Sequence, residues 1–121
     1  MAAPNIVNVA TITAKSVQAT LNTTLTTEIL ANASSSGKVF KINNIIIANI
    51  DGTNAADATV AITKSGGSPI KIASTISVPA DATLVVIDKN SSLYLEEGDN
   101  IEAGAGADND LTITINYEEL S

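Results

Sequence analysis

A chain of 121 residues is the size of one domain, and its net charge of −7, with only six basic residues, leaves no basic patch able to neutralise several phosphates. Nucleic acid and anionic membranes are therefore excluded as partners. With no cysteine or histidine, so are disulfides, thiol nucleophiles and the usual transition-metal ligand sets.

Aromatic content is only 2% (Phe40, Tyr94, Tyr117), so the core must be built from Ile, Val and Leu. The first ten residues, MAAPNIVNVA, have neither the basic segment nor the continuous apolar run of a signal peptide, and synthesis in the cytoplasm is expected. No apolar run approaches the ~20 residues of a membrane helix.

In chain order, Ile6 to Ala14 reads as a first strand, rich in Thr and Val. Val17, Ala19, Leu21 and Leu25 then alternate with polar residues, and residues 26–30 continue or restart that strand. Residues 32–37 form a small-residue loop ending in Gly37. Residues 1–36 thus read as an arm with leading strands, and 37–121 as the sandwich core. The densest apolar stretch is KVFKINNIIIANI, Lys38 to Ile50, where β-branched and aromatic side chains favour a pleated surface. Its even positions, Phe40, Ile42, Asn44, Ile46, Ala48 and Ile50, make a period-two stripe, which predicts a central strand with Ile46 well buried.

Asp51-Gly52-Thr53-Asn54 is a turn, followed by alternation at Ala58, Val60 and Ile62. After the turn at residues 65–69, Ile70, Ile72, Ile76 and Val78 are expected to face away from Lys71, Thr75 and Ser77. Pro79 ends that strand because it cannot donate to a ladder. Leu84 to Ile87 is apolar on both faces and reads as buried. Leu93 to Leu95 is a short strand, and residues 96–100 an acidic turn. Ile101, Ala103 and Ala105 form a further strand, and Leu111, Ile113, Ile115 and Tyr117 the last. Asp57-Ala58-Thr59, Asp81-Ala82-Thr83 and Asp110-Leu111-Thr112 echo one another as turn aspartates ahead of β runs. No segment keeps a 3.6-residue stripe. Eight to ten short strands with regular turns predict a single all-β domain, an antiparallel β-sandwich of jelly-roll type with no long helix.

Candidate chemistry is sparse. Glu96, Glu97, Asp99 and Glu102 could supply a carboxylate pair, but sugar chemistry also needs aromatic platforms that this chain lacks. Asp51, Asn54 and Asp57, and separately Asp108 and Asp110 flanking Asn109, are weak calcium candidates. The first loop has Ile62 where an EF-hand carries its Glu, and turn formation explains these residues. Ser74 and Ser77 lie near Lys71, yet alternation leaves that lysine on a polar face, unsuited to act as a base. Gly66-Gly67 and Gly104-Ala105-Gly106 lack phosphate-loop spacing. No enzymatic activity and no cofactor are expected.

Three stretches, IDGTNAAD from Ile50, IASTISVPADATL from Ile72 and LYLEEGD from Leu93, resemble a family of small virion structural proteins of tailed bacteriophages, of the marine and cyanophage type. The likeness spans roughly residues 39–119. It implies a non-enzymatic particle component, made in the host bacterial cytoplasm and carried in the virion. The reading it favours is a capsid decoration (cement) protein docked on the major capsid protein, as a homo-oligomer and preferably a trimer. Ile6, Val7, Val9 and Ile12 of the N-terminal arm would then extend a neighbour's sheet. A neck or tail ring, or a tail-tube-associated component, is the alternative. A host-surface adhesin or carbohydrate-binding module is the third reading.

Overall fold

The computed structural model describes residues 10–24, 27–91 and 93–121. Its strands are β1 (Ile12–Thr20), β2 (Thr27–Ala31), β3 (Val39–Asn49), β4 (Ala56–Thr63), β5 (Ile70–Val78), β6 (Thr83–Ile87), β7 (Leu93–Leu95), β8 (Asn100–Ala105) and β9 (Leu111–Leu120), with one short 3-10 turn at Lys89–Ser91. They form two antiparallel sheets. One has the order β1-β9-β3-β6, with β7 also paired to β3, and the other β2-β8-β4-β5. The sheets close face to face over a single core. Ile42, Ile45, Ile47, Ile113 and Ile115 come from the first sheet, and Ala58, Val60, Ile101 and Ala103 from the second. The chain is therefore an all-β sandwich.

As its isoleucine density predicts, β3 is interior to its sheet, with β9 on one side and β6 and β7 on the other. The even stripe does not persist. Ile42 pairs with Tyr117 and Asn44 with Asn116, so Asn43 is an unopposed bulge residue. Asparagine is a poor strand former, and this Asn-Asn pair is where the ladder yields. One extra residue exchanges the two faces for the rest of the strand. Phe40 and Ile42 point inward before the bulge, and Ile45, Ile47 and Asn49 after it. Ile46 is consequently half-buried on the outer face, and Ile50 is exposed, which corrects the expectation for both.

Strand β1 begins at Ile12 and runs past Ala14 to Thr20, paired in continuous register with β9. Ile6, Val7 and Val9 lie outside the described residues, and Ile12 is largely exposed at the strand's start. Both leading strands are sheet edges, β1 on β9 and β2 on β8, and Leu21 and Leu30 enter the core. One further expectation is corrected, at the opposite edge of the first sheet. Among the described residues β6 has β3 as its one strand neighbour, so Val85 is exposed and its other apolar residues are no more than half-buried. In β5, Ile70, Ile76 and Val78 face away from Lys71 and Ser77 as expected, standing opposite Ile62, Ala58 and Ala56 of β4; the strand slips register twice there, and Ile70, Ile72 and Ile76 are exposed.

Only the β4–β5 and β6–β7 connections stay within one sheet, and the rest cross between sheets. The loops therefore gather at two ends. At one end the Thr23 N–H reaches Asp108, and the Asp81 N–H reaches the Asp51 carbonyl. At the other, the loops after β2, β4 and β7 meet around Asp99.

Candidate functional site

The first end carries the calcium candidates. Asp51 Oδ1 accepts the Thr53 N–H at 2.8 Å, and Asp51 Oδ2 takes the Asn54 amide at 3.4 Å. The Thr53 N–H, with help from Asn54 and Asp110, holds the Asp51 carboxyl below its ordinary value. Asp108 Oδ1 accepts the Thr23 N–H at 2.9 Å, while Asp110 uses its backbone carbonyl to receive the Ile50 N–H at 2.8 Å. Asp57 stands exposed near the start of β4. Among the described residues no three acidic side chains gather as a metal ion would require. Asp51 and Asp108 instead cap the turns they sit beside. The three echoed aspartates, Asp57, Asp81 and Asp110, share this end because each leads a strand away from it.

The other end is more tightly organised, and sequence reasoning missed it. Asp99 is 2% exposed and accepts three hydrogen bonds, from the Ser65 N–H at 3.0 Å, the Glu96 N–H at 2.8 Å and Lys64 Nζ. That bond to Asp99 raises the Lys64 ammonium pKa above its ordinary value. Asn32, 1% exposed, donates to the carbonyls of Lys38 and Leu95 and accepts the Ser36 hydroxyl at 2.6 Å. Glu97 takes the Gly37 N–H at 3.0 Å. Gly98 is required here: its φ is +87°, and a Cβ would lie 2.7 Å from Ser65 Oγ. Asn49 plays the matching part at the aspartate end, donating to the carbonyls of Asn54 and Val78 and accepting the Asp51 N–H. Such buried polar groups tie loops to the sandwich and leave little free for chemistry.

The carboxylates considered for acid–base work are committed to different donors. Glu97 and Asp99 hold the clamp, and Glu102 takes the Thr63 hydroxyl at 2.5 Å on the outer face of the second sheet. Glu28 stands opposite Glu102 across β2 and β8, and Asn100 Oδ1 on that face is buried without a partner among the described residues. Two carboxylates and one amide oxygen fall short of the 6–8 oxygens that calcium takes.

A third polar centre lies where β1, β3 and β9 meet. Burial alone would raise the Glu119 carboxyl, but Lys38 and Lys15, each 3.1 Å away, outweigh it and hold the group below its ordinary value of 4.5. A carboxyl whose folded-state pKa is depressed stabilises the fold fully above the unfolded value, and that contribution fades as pH falls through the folded one. Glu119→Gln should therefore lower the thermal midpoint at neutral pH. Its difference from the parent should shrink as the pH drops below 4.5. A difference that persists unchanged into strong acid would remove the ion pairs as its cause.

Two shallow depressions lie on the first sheet. One is lined by Gln18, Thr20, Thr112 and Thr114, the other by Ser16, Lys15, Asn43 and Asn116. In the second, Lys15 is engaged by Glu119 at 3.1 Å, away from service as a base to Ser16. The more prominent surface feature is apolar: Ile70, Ile72 and Ile76 are 66%, 38% and 40% exposed along a single edge strand. No family model matches the chain, and none of the curated proteins searched matches it.

Proposed function

We propose that the chain is a non-enzymatic structural component of a tailed-phage virion, a decoration protein docked on major capsid subunits. The observation that carries this reading is the strand order. Sheets ordered β1-β9-β3-β6 and β2-β8-β4-β5, interleaved by crossing connections, support reading the sandwich as a jelly roll, an architecture used by viral capsid domains. Fold alone does not assign function, and the resemblance of the stretches from Ile50, Ile72 and Leu93 to small phage virion proteins is the second support. An interior whose polar groups are spent on holding loops suits a passive tile. Many copies on a lattice would make weak single contacts collectively strong.

Copy number in purified particles tests the proposal. Hundreds of chains per virion are expected, whereas about six or twelve would indicate a closed neck or tail ring. Absence from washed particles, coupled with binding of the free chain to host glycans, would replace the reading with an adhesin. The contribution of the N-terminal arm is tested by removing residues 1–9, which leaves β1 whole. Unchanged folding with reduced incorporation is expected, and wild-type incorporation would eliminate the arm as the attachment element.

A further inference from the structure

Strand β1 is attached to the sandwich more lightly than its length suggests. None of its nine residues is fully buried, and only Val17 and Ala19, both half-buried, pack against the core. Thr13 and Lys15 share their inner face and add no apolar side chain to it. Among the described residues β1 has β9 as its one strand neighbour, and both shallow depressions of the first sheet are lined by residues of these two strands.

What holds β1 is mostly backbone. Beyond its ladder to β9, the Ala10 and Thr11 N–H groups reach the Ser121 carbonyl at 2.8 and 3.0 Å, and the Ser121 N–H returns to the Thr11 carbonyl at 2.9 Å. Lys15 adds its ion pair with Glu119 at 3.1 Å, a partly exposed contact of modest strength. The attachment changes abruptly at Leu21. That residue is 1% exposed in the core, donates its N–H to the Leu111 carbonyl and receives the Asn109 N–H on its own. The covalent link from β1 to the other eight strands runs through this fixed residue alone, so the Thr20–Leu21 junction is a pivot. We infer that β1 is an exchangeable strand: it leaves β9 as a unit while the sandwich stays folded, and β1 of a second copy takes its place.

Three observations name the second copy as the occupant. β1 pairs with β9 over nine consecutive residues without a slip, whereas β2, β5 and β6 at the other edges each slip against a neighbour. An unbroken edge accepts a strand that repeats its register, and a copy's β1 repeats it in every side chain. Charge favours the same occupant. Lys15 is the one charge on β1, while β9 carries Glu118 and Glu119, so a copy's β1 restores the Lys15–Glu119 pair in a chain whose net charge is −7. The pivot supplies the third argument, because a leading strand joined to its domain at one point can pass to a neighbour without unfolding the rest. Closed and exchanged forms contain the same β1–β9 contacts. They differ in the pivot and in the entropy of joining two chains, so exchange grows with concentration and counts for most where copies are crowded together. The inference does not rest on the virion reading.

Cross-linking tests it cleanly, since the chain has no cysteine of its own. Gln18 and Thr114 stand opposite each other across β1 and β9. Chains carrying Gln18→Cys are mixed with chains carrying Thr114→Cys at millimolar concentration in a thiol–disulfide buffer. Disulfides between unlike chains should form in clear excess over those between like chains, giving a dimer of twice 12.3 kDa. Lys15→Gln should speed this cross-linking to the same final extent, because the closed and exchanged forms lose the same ion pair. Both cysteine substitutions in one chain, oxidised while dilute, should lock β1 and keep that chain monomeric where the parent dimerises. In hydrogen exchange of the parent chain, β1 amides should exchange at least about tenfold faster than those of β3. Amides of β1 no faster than those of β3 would overturn the inference. So would an absence of cross-links between unlike chains, or a locked chain that dimerises as readily as the parent.

Discussion

Replacing Ile47 with alanine should destabilise the fold by about 2–5 kcal/mol, whereas the same change at the adjacent Ile46 should lower stability by less than about 1.5 kcal/mol. Both residues belong to one isoleucine triplet in the middle of β3, with equal strand propensity and equal loss of volume. They differ only in the face they occupy. Ile47 is 0% exposed in the core, with Ile45 beside it on the same face, while Ile46 is half-buried on the outer face. A buried isoleucine truncated to alanine loses its transfer energy and leaves a cavity, and a half-covered one loses part of the first term only. Urea unfolding of the two variants compares them directly. Equal costs would show that the bulge at Asn43 does not exchange the faces of β3.

What the sequence revealed and what it concealed divide along the same physical line. Alternation and turn residues are local, so the all-β class, most strand positions and the interior place of β3 could be read from them. Register and neighbours are not local. The bulge at Asn43 exists because β9 offers Tyr117 and Asn116 as successive partners, and a period-two stripe cannot announce the residue at which it will be reset. Leu84 to Ile87 looked buried on both faces because four apolar residues in a row resemble an interior strand. Its edge position follows from sheet order, which no stretch of five residues encodes. β5 shows the converse: its isoleucines alternate as a core strand's would, yet the bulges and the empty flank leave them in solvent. The clamp was concealed most fully. EEGDN reads as a solvated acidic turn, and Asp99 is buried only because donors on a loop 34 residues away converge on it. The one local hint was Gly98, whose positive φ lets the turn fold its aspartate inward.

The clamp should therefore respond unequally to loss of its two charged members. Asp99→Ala is expected to destabilise by about 2–4 kcal/mol, because it leaves the Ser65 and Glu96 N–H groups without their acceptor and unties the loop after β4 from the loop after β7. Lys64→Ala removes the opposite charge from the same ion pair, yet should lower stability by less than about 1 kcal/mol. The Lys64 side chain is 52% exposed, so its removal uncovers little, while Asp99, 2% exposed, keeps its two backbone donors when the lysine is gone. The aspartate thus works chiefly as an acceptor for the backbone, with the lysine as an outer screen. Denaturant unfolding of the two single variants and the double variant separates these parts. If Lys64→Ala proved as damaging as Asp99→Ala, and the double variant no worse than either, the ion pair itself would be what holds this end of the sandwich closed.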